Sequence, residues 1–292
     1  MVTAVLVTVA CLGLVIGSFL NAAIYRLPRE CMSVIRQARS FCPRCGVQLA
    51  WFDNVPILSY CLWLRGRCRS CKKPISWRYP TVEALTAVAF VALVWHDVGP
   101  HGLGDPALAV RPFVLAGVHA LVFCVLLVLA AVDLDYRILP DALTIPGLVA
   151  APFLAAALPE IMPRPLLGPF SLSGAPSASL TALVNGLVGA VVGGGGLWLI
   201  GWLGSIAFRK PAMGFGDVKL MAAMGGLLGL WVPLALVVAS FAGALIGVVI
   251  LLFKKDHYLP FGPFLALGMM VSLLWGPEVF DSCFGFLTRH GR

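Results

Sequence analysis

The stretch PFVLAGVHALVFCVLLVLAAVD, Pro112 to Asp133, decides the fold. From Pro112 through Val132 there is no Asp, Glu, Lys or Arg. A run of roughly 20 such residues is what a helix needs to cross the hydrocarbon of a bilayer. A carboxylate then stops it. Acidic residues at the edge of a lipid-embedded helix are costly to keep, so they mark chemistry or ion handling by default.

Working outward, similar apolar runs lie at Val2–Ile24, Pro80–Trp95, Asp141–Leu158, Ser179–Phe208, Val218–Trp231, Pro233–Phe253 and Pro260–Phe280. They predict an all-α polytopic membrane protein of about eight transmembrane helices. Composition agrees: 60% of the 292 residues are hydrophobic and 12% charged, with mean hydropathy +0.95, against about 25% charged in soluble domains. The first run has no basic segment before it and reads as a retained helix, not a cleaved signal. Pro159–Ser177 is rich in Pro, Gly and Ser and reads as a loop. Gly193–Gly196 lies inside an apolar run, where small residues let helices pack closely.

The net charge of +8 is unevenly placed. Arg26–Arg78 holds eleven of the 21 Lys and Arg, against only Glu30 and Asp53. The positive-inside rule predicts that this loop is cytosolic. Topology and anionic lipid account for its charge, so no nucleic-acid partner is expected. Three domains follow: helix one over residues 1–24, a basic insertion over 25–79 and a membrane-embedded remainder over 80–292. With the insertion inside, helices three, five and seven also end inside, at Asp133, at Arg209-Lys210 and at Lys254-Lys255. Val218–Trp231 is short for a full span and a re-entrant path stays open; Asp133 and Asp217 share a side in either case. Arg289 and Arg292 then fall outside, against the rule.

Four of the nine cysteines form two C-x-x-C pairs, Cys42/Cys45 and Cys68/Cys71, with 22 residues between them. Each pair can clamp one edge of a tetrahedron, and thiolates suit Zn²⁺. The insertion has no His, so the site is expected to be Cys₄, which leaves no open coordination position and points to structure. A loop of this size with little apolar content needs such a staple. An unmetallated or redox-active loop is the alternative. Cys11, Cys124 and Cys283 read as small core hydrophobes; Cys31 and Cys61 have no assignment.

Asp133 and Asp135 are two apart, so on a helix only one can face the bundle interior; the spacing does not choose between them. Asp141 is placed as an N-cap for helix four. Asp217 sits in the Gly214-Phe215-Gly216-Asp217 turn, whose glycines allow positive φ and close backbone approach. Charges at helix ends, with Lys219 pairing one of the acids, would explain these residues without chemistry. Two close carboxyls instead form a coupled pair, one charged and one protonated, able to activate water and to protonate a peptide carbonyl. No H-E-x-x-H or G-x-S-x-G motif offers competing protease chemistry.

The chain resembles the bacterial type IV prepilin peptidases, bifunctional leader peptidases and N-methyltransferases. The resemblance rests on GSFLNAAIYRLP (Gly17–Pro28), CPRCGVQLAWFDNVPILSY (Cys42–Tyr60), GRCRSCKKPISWRYPTVE (Gly66–Glu83), VDLDYRILPD (Val132–Asp141) and GFGDVKL (Gly214–Leu220). It implies eight membrane helices with a small cytosolic zinc-binding insertion between the first two. It implies that Asp133, not Asp135, and Asp217 are the catalytic pair, with Gly214 and Gly216 in the active-site loop and Cys42, Cys45, Cys68 and Cys71 on zinc. The implied activity removes the basic leader of prepilins and pseudopilins at the cytosolic membrane face, then methylates the new amine from S-adenosylmethionine. The implied location is the bacterial inner membrane. No Gly-rich fingerprint marks the methyl-donor pocket; Trp51, Asn54 and Glu83 are candidates by position only. The oligomeric state is not legible. A carboxylate-dependent ion transporter and a non-catalytic zinc-ribbon adaptor are the competing readings.

Overall fold

The computed structural model describes residues 2–29, 40–99, 110–163, 177–210, 213–253 and 260–289. Arg289 lies in the last described helix, whereas Cys31, Lys254, Lys255, Arg292 and most of the Pro159–Ser177 loop lie outside the described residues. The described chain forms eight α-helices: α1 (Val2–Arg26), α2 (Arg78–Val98), α3 (Val110–Tyr136), α4 (Asp141–Ala157), α5 (Ala178–Phe208), α6 (Phe215–Leu228), α7 (Val232–Phe253) and α8 (Gly262–Arg289). Six stretches are long and apolar enough to cross a membrane: α1, α2, α3, α5, the run Phe215–Ile250, and Gly262–Cys283; α4 is shorter. The protein is a multi-pass, all-α membrane protein.

The chain divides into two compact units, Met1–Val128 and Leu129–Arg292. In the first, α1 and α2 run antiparallel with their backbones in contact. A Cβ on Gly13 would lie 2.6 Å from the Ala87 Cα, and one on Gly17 would lie 2.7 Å from the Glu83 Cα. Small residues let the helices approach this closely where lipid gives no hydrophobic drive between them. Val94, Val98 and Ala116 form a buried cluster with Val9 against it. The Asp97 carboxylate meets the Nδ1 of His96 and of His119, each at 2.8 Å.

In the second unit, α5 and α6 cross antiparallel on glycine. Gly186 faces Gly226, Gly189 faces Gly225 and Gly229, Gly193 faces Met221, and Gly194 faces Ala222. Gly193 and Gly194 thus have the packing role expected of them, while Gly195 and Gly196 meet nothing within 4 Å. Gly229, at φ 57°, ends α6. The chain then reverses, because Val232 returns to Gly193, the level of Met221. The apolar run Phe215–Ile250 is therefore a hairpin. Its first arm, 14 residues, is about 21 Å long, short of the ~30 Å hydrocarbon thickness.

Helices α3, α5 and α7 end where α4, α6 and α8 begin, the alternation that charge parity predicts. Cys124 is buried, but Cys11 and Cys283 are exposed rather than in the core.

Candidate active site and metal centre

The acids collect at that shared end of the second unit. Asp133 sits one turn before the end of α3, where Arg137 at φ 58° stops the helix. It is buried, and its neighbour Asp135 is exposed, so of the two it is Asp133 that faces the interior. The Gly262 N–H, at the start of α8, donates to Asp133 Oδ2 at 2.9 Å. Helix N-termini favour such carboxylates, since their first amides lack intrahelical partners.

Asp217 lies in the first turn of α6, half-buried. Leu139, in the turn that follows α3, lies against Gly216 beside it, so Asp133 and Asp217 stand at the same end of this unit. Gly214 precedes the helix at φ −74°, and neither it nor Gly216 has positive φ. Of the two uses the sequence leaves open for these glycines, positive φ and close approach, the second is the one seen. A Cβ on Gly216 would lie 3.0 Å from the Leu139 Cβ, which brings the α3–α4 turn against the start of α6.

Asp141 is also corrected. It opens α4, with Pro140 in the cap position and no side-chain cap bond. Its carboxylate instead takes Lys219 Nζ at 2.7 and 2.9 Å. That pairing occupies the cation suggested as a partner for Asp133 or Asp217.

The acids are recessed along α5. Gly194 faces Val218 and Ala222, so Asp217 is level with Leu197. Helix α5 continues to Phe208, about 16 Å further. There Arg209 turns the chain at φ 52°, and by Met213 it is back beside Gly201. The overhanging part of α5 exposes Trp198, Leu199, Ile200, Trp202 and Leu203.

In the first unit the four predicted cysteines converge, their Sγ atoms all within 4.8 Å of one another. Two matching turns bring them there. The Cys42 N–H donates to the Val47 carbonyl and the Gly46 N–H to the Cys42 carbonyl, both at 2.9 Å; the Cys68 N–H donates to Lys73 and the Lys72 N–H to Cys68, both at 3.0 Å. The residue four after each first cysteine is left-handed, Gly46 at φ 72° and Lys72 at φ 58°. Arg69 crosses from the second turn to the buried Asp53 carboxylate, with Nη2 to Oδ1 at 2.6 Å.

Cys42 and Cys71 Sγ are 4.0 Å apart, too far for a disulfide of about 2.05 Å and compatible with an edge of a tetrahedral tetrathiolate site. The Cys71 backbone amide draws the Cys68 thiol down to about 7. The Val47 amide draws Cys45 down too, but burial and the neighbouring thiols leave it pushed up to about 11. The donor set fits a soft divalent cation.

Of the methyl-donor candidates, Trp51 and Asn54 are exposed and Glu83 is buried. Glu83 is committed elsewhere: the Ile57 N–H donates to its Oε2 at 2.8 Å. Sequence reasoning missed Gly262. Its signal is the Gly262-Pro263 pair opening α8, since proline at a first helical position marks an N-terminus; what that amide meets is not written locally.

Residues 11–97 match the family described as the bacterial peptidase A24 N-terminal domain, and residues 120–248 match the type IV leader peptidase family. Relatives named prepilin leader peptidase/N-methyltransferase include one from Aeromonas hydrophila, 36% identical over 91% of this chain and 89% of its own. One from Pseudomonas putida is 34% identical over 93% and 91%, and one from Burkholderia pseudomallei (strain 1026b) is 36% identical over 91% and 84%. No solved structure matches the chain. The two family matches fall on the cysteine-bearing and the carboxylate-bearing parts, and the likeness runs nearly end to end: the chain belongs to the type IV leader peptidase family.

Proposed function

We propose that this chain removes the basic leader of type IV prepilins and secretion pseudopilins and then N-methylates the new terminal residue, from the inner membrane with its active site facing the cytosol. One observation carries the reading: two carboxyls, Asp133 and Asp217, brought to one end of the second unit and set below the overhanging apolar end of α5. A prepilin joins a short basic leader to a long apolar helix, so its scissile bond falls where lipid meets water, and a recessed acid pair suits that depth.

The pair works singly protonated, as close carboxyls do. The charged member takes a proton from water as the oxygen attacks the scissile carbonyl. The neutral member gives its proton to the carbonyl oxygen. Collapse of the tetrahedral intermediate breaks the C–N bond, and the proton first taken from water goes to the leaving amine. Gly262 fixes Asp133 through one oxygen and leaves the other for water. Gly214 and Gly216 let the loop approach closely enough to place Asp217.

Zinc is the metal assigned to Cys42, Cys45, Cys68 and Cys71; bound there, it would hold the two turns of the 25–79 insertion together. S-adenosylmethionine would supply an electrophilic methyl group to the freed amine. No residue is assigned to hold it.

The test is purified chain, a prepilin, and product mass with and without S-adenosylmethionine. Loss of the leader mass, plus one methyl only with the donor, is expected. Asp133→Asn and Asp217→Asn should each reduce cleavage by at least about a thousandfold, the scale of losing one member of an acid–base pair. Normal processing by either variant would overturn the assignment.

A further inference from the structure

The insertion concentrates the chain's positive charge, yet Asn54–Leu64 holds no charged residue at all. This stretch is bound to a membrane helix at depth. Helix α2 has 21 residues, about 31 Å, which matches the hydrocarbon thickness with no length to spare. Arg78 marks its loop-side end. Glu83 lies five residues further in, about 7 Å, and accepts the Ile57 N–H at 2.8 Å. The Tyr60 ring packs on Trp77, just before α2, with centroids 5.4 Å apart. The stretch therefore reaches the level of the α2 start and dips along its first turns.

Its outer face is apolar. Ser59–Trp63 forms a single wide helical turn, with Ser59 buried inward while Leu58, Cys61, Leu62 and Trp63 are exposed. The exposed Arg65 and Arg67 follow directly. An apolar turn with an interfacial Trp and flanking cations is the pattern of a segment seated at an anionic leaflet. The buried Glu83 supplies the Ile57 amide with a protein acceptor, as backbone donors at bilayer depth require.

We propose that Asn54–Leu64 is a membrane-inserted loop, with Leu58, Leu62 and Trp63 among lipid acyl chains and Arg65 and Arg67 at the anionic headgroups. The partner is the bilayer itself.

The test uses the full chain in vesicles of phosphatidylethanolamine and phosphatidylglycerol, with a photoreactive benzoylphenylalanine at Leu58, Leu62 or, as a control, Lys73. Lipid adducts at the first two positions and at least fivefold less at Lys73 are expected. Native Trp63 gives a second readout: lipids brominated near the headgroup should quench the emission lost in Trp63→Phe, and aqueous iodide should not. Two results overturn the proposal: iodide quenching without bromolipid quenching, or lipid adducts replaced by prepilin adducts when prepilin is added. The latter would make this face a substrate seat.

Discussion

At the scale of single residues, the three acids flanking the α3–α4 turn illustrate how neighbours decide roles. Asp133 is buried and takes a backbone amide, Asp135 is exposed, and Asp141 pairs with Lys219. A Cβ on Gly262 would lie 2.7 Å from Asp133 Oδ2, closer than real contacts allow. Gly262→Ala should therefore displace the carboxyl and lower kcat/KM for prepilin at least about tenfold, an increase of ~1.4 kcal/mol in the barrier. Metal content and membrane insertion should stay unchanged, which separates a local shift from misfolding. Asp141→Ala is the contrast. Its ion pair is partly exposed, with the Asp141 side chain 57% accessible, and such pairs contribute about 0–1 kcal/mol. Thermal unfolding in detergent should move little, and cleavage should stay within about threefold, because pairs of this strength rarely position anything. A complete loss of cleavage would place Asp141 in the reaction.

Among elements, the α5–α6 crossing sets where Asp217 stands. Gly189 and Gly225 bring backbone onto backbone, and neither can accept a Cβ without the helices separating. Gly225→Val should shift α6 and carry Asp217 away from Asp133. Cleavage should fall at least about tenfold, and the unfolding midpoint should fall too, since overpacking costs about 1–3 kcal/mol. A variant with wild-type cleavage would mean that the crossing does not position the acid. The same crossing shows what the sequence could disclose. Apolar length revealed the helices, charge parity revealed that α3 and α5 end on one side, and cysteine spacing revealed the four thiols. Each is a local or periodic property. The Gly262 amide on Asp133, 129 residues apart, the Asp141–Lys219 pair and the overhang of α5 past Asp217 depend on how far one helix slides along another. Hydrophobic periodicity is nearly silent about that in lipid, where every face is apolar. The Gly-x-Gly-Asp turn stayed open for a related reason: glycine permits both unusual backbone angles and close approach, and the Leu139 contact shows that close approach is used here.

For the whole molecule, the division into units predicts a division of sensitivities. The four cysteines lie in Met1–Val128 and both acids lie in Leu129–Arg292. Bound metal contributes its binding free energy to the folding of the part that holds it. Among the described residues of the 25–79 insertion, Asn54–Leu64 is tied to α2 through Glu83 and Trp77, while the two cysteine-bearing turns are closed by backbone bonds and the Asp53–Arg69 bridge. The acid pair instead rests on helix packing and the Gly262 amide, none of which involves a thiol. Strong chelation, or Cys42→Ser with Cys71→Ser, should therefore release about one zinc per chain, consistent with one tetrathiolate site. It should also make the insertion susceptible to protease and abolish methylation, while leader cleavage falls by less than about tenfold, a barrier change under ~1.4 kcal/mol. Elemental analysis, limited proteolysis and product mass on the same samples read all three. If cleavage disappears before methylation as metal is withdrawn, the thiol site supports the acid pair after all, and the independence of the two units in function is wrong.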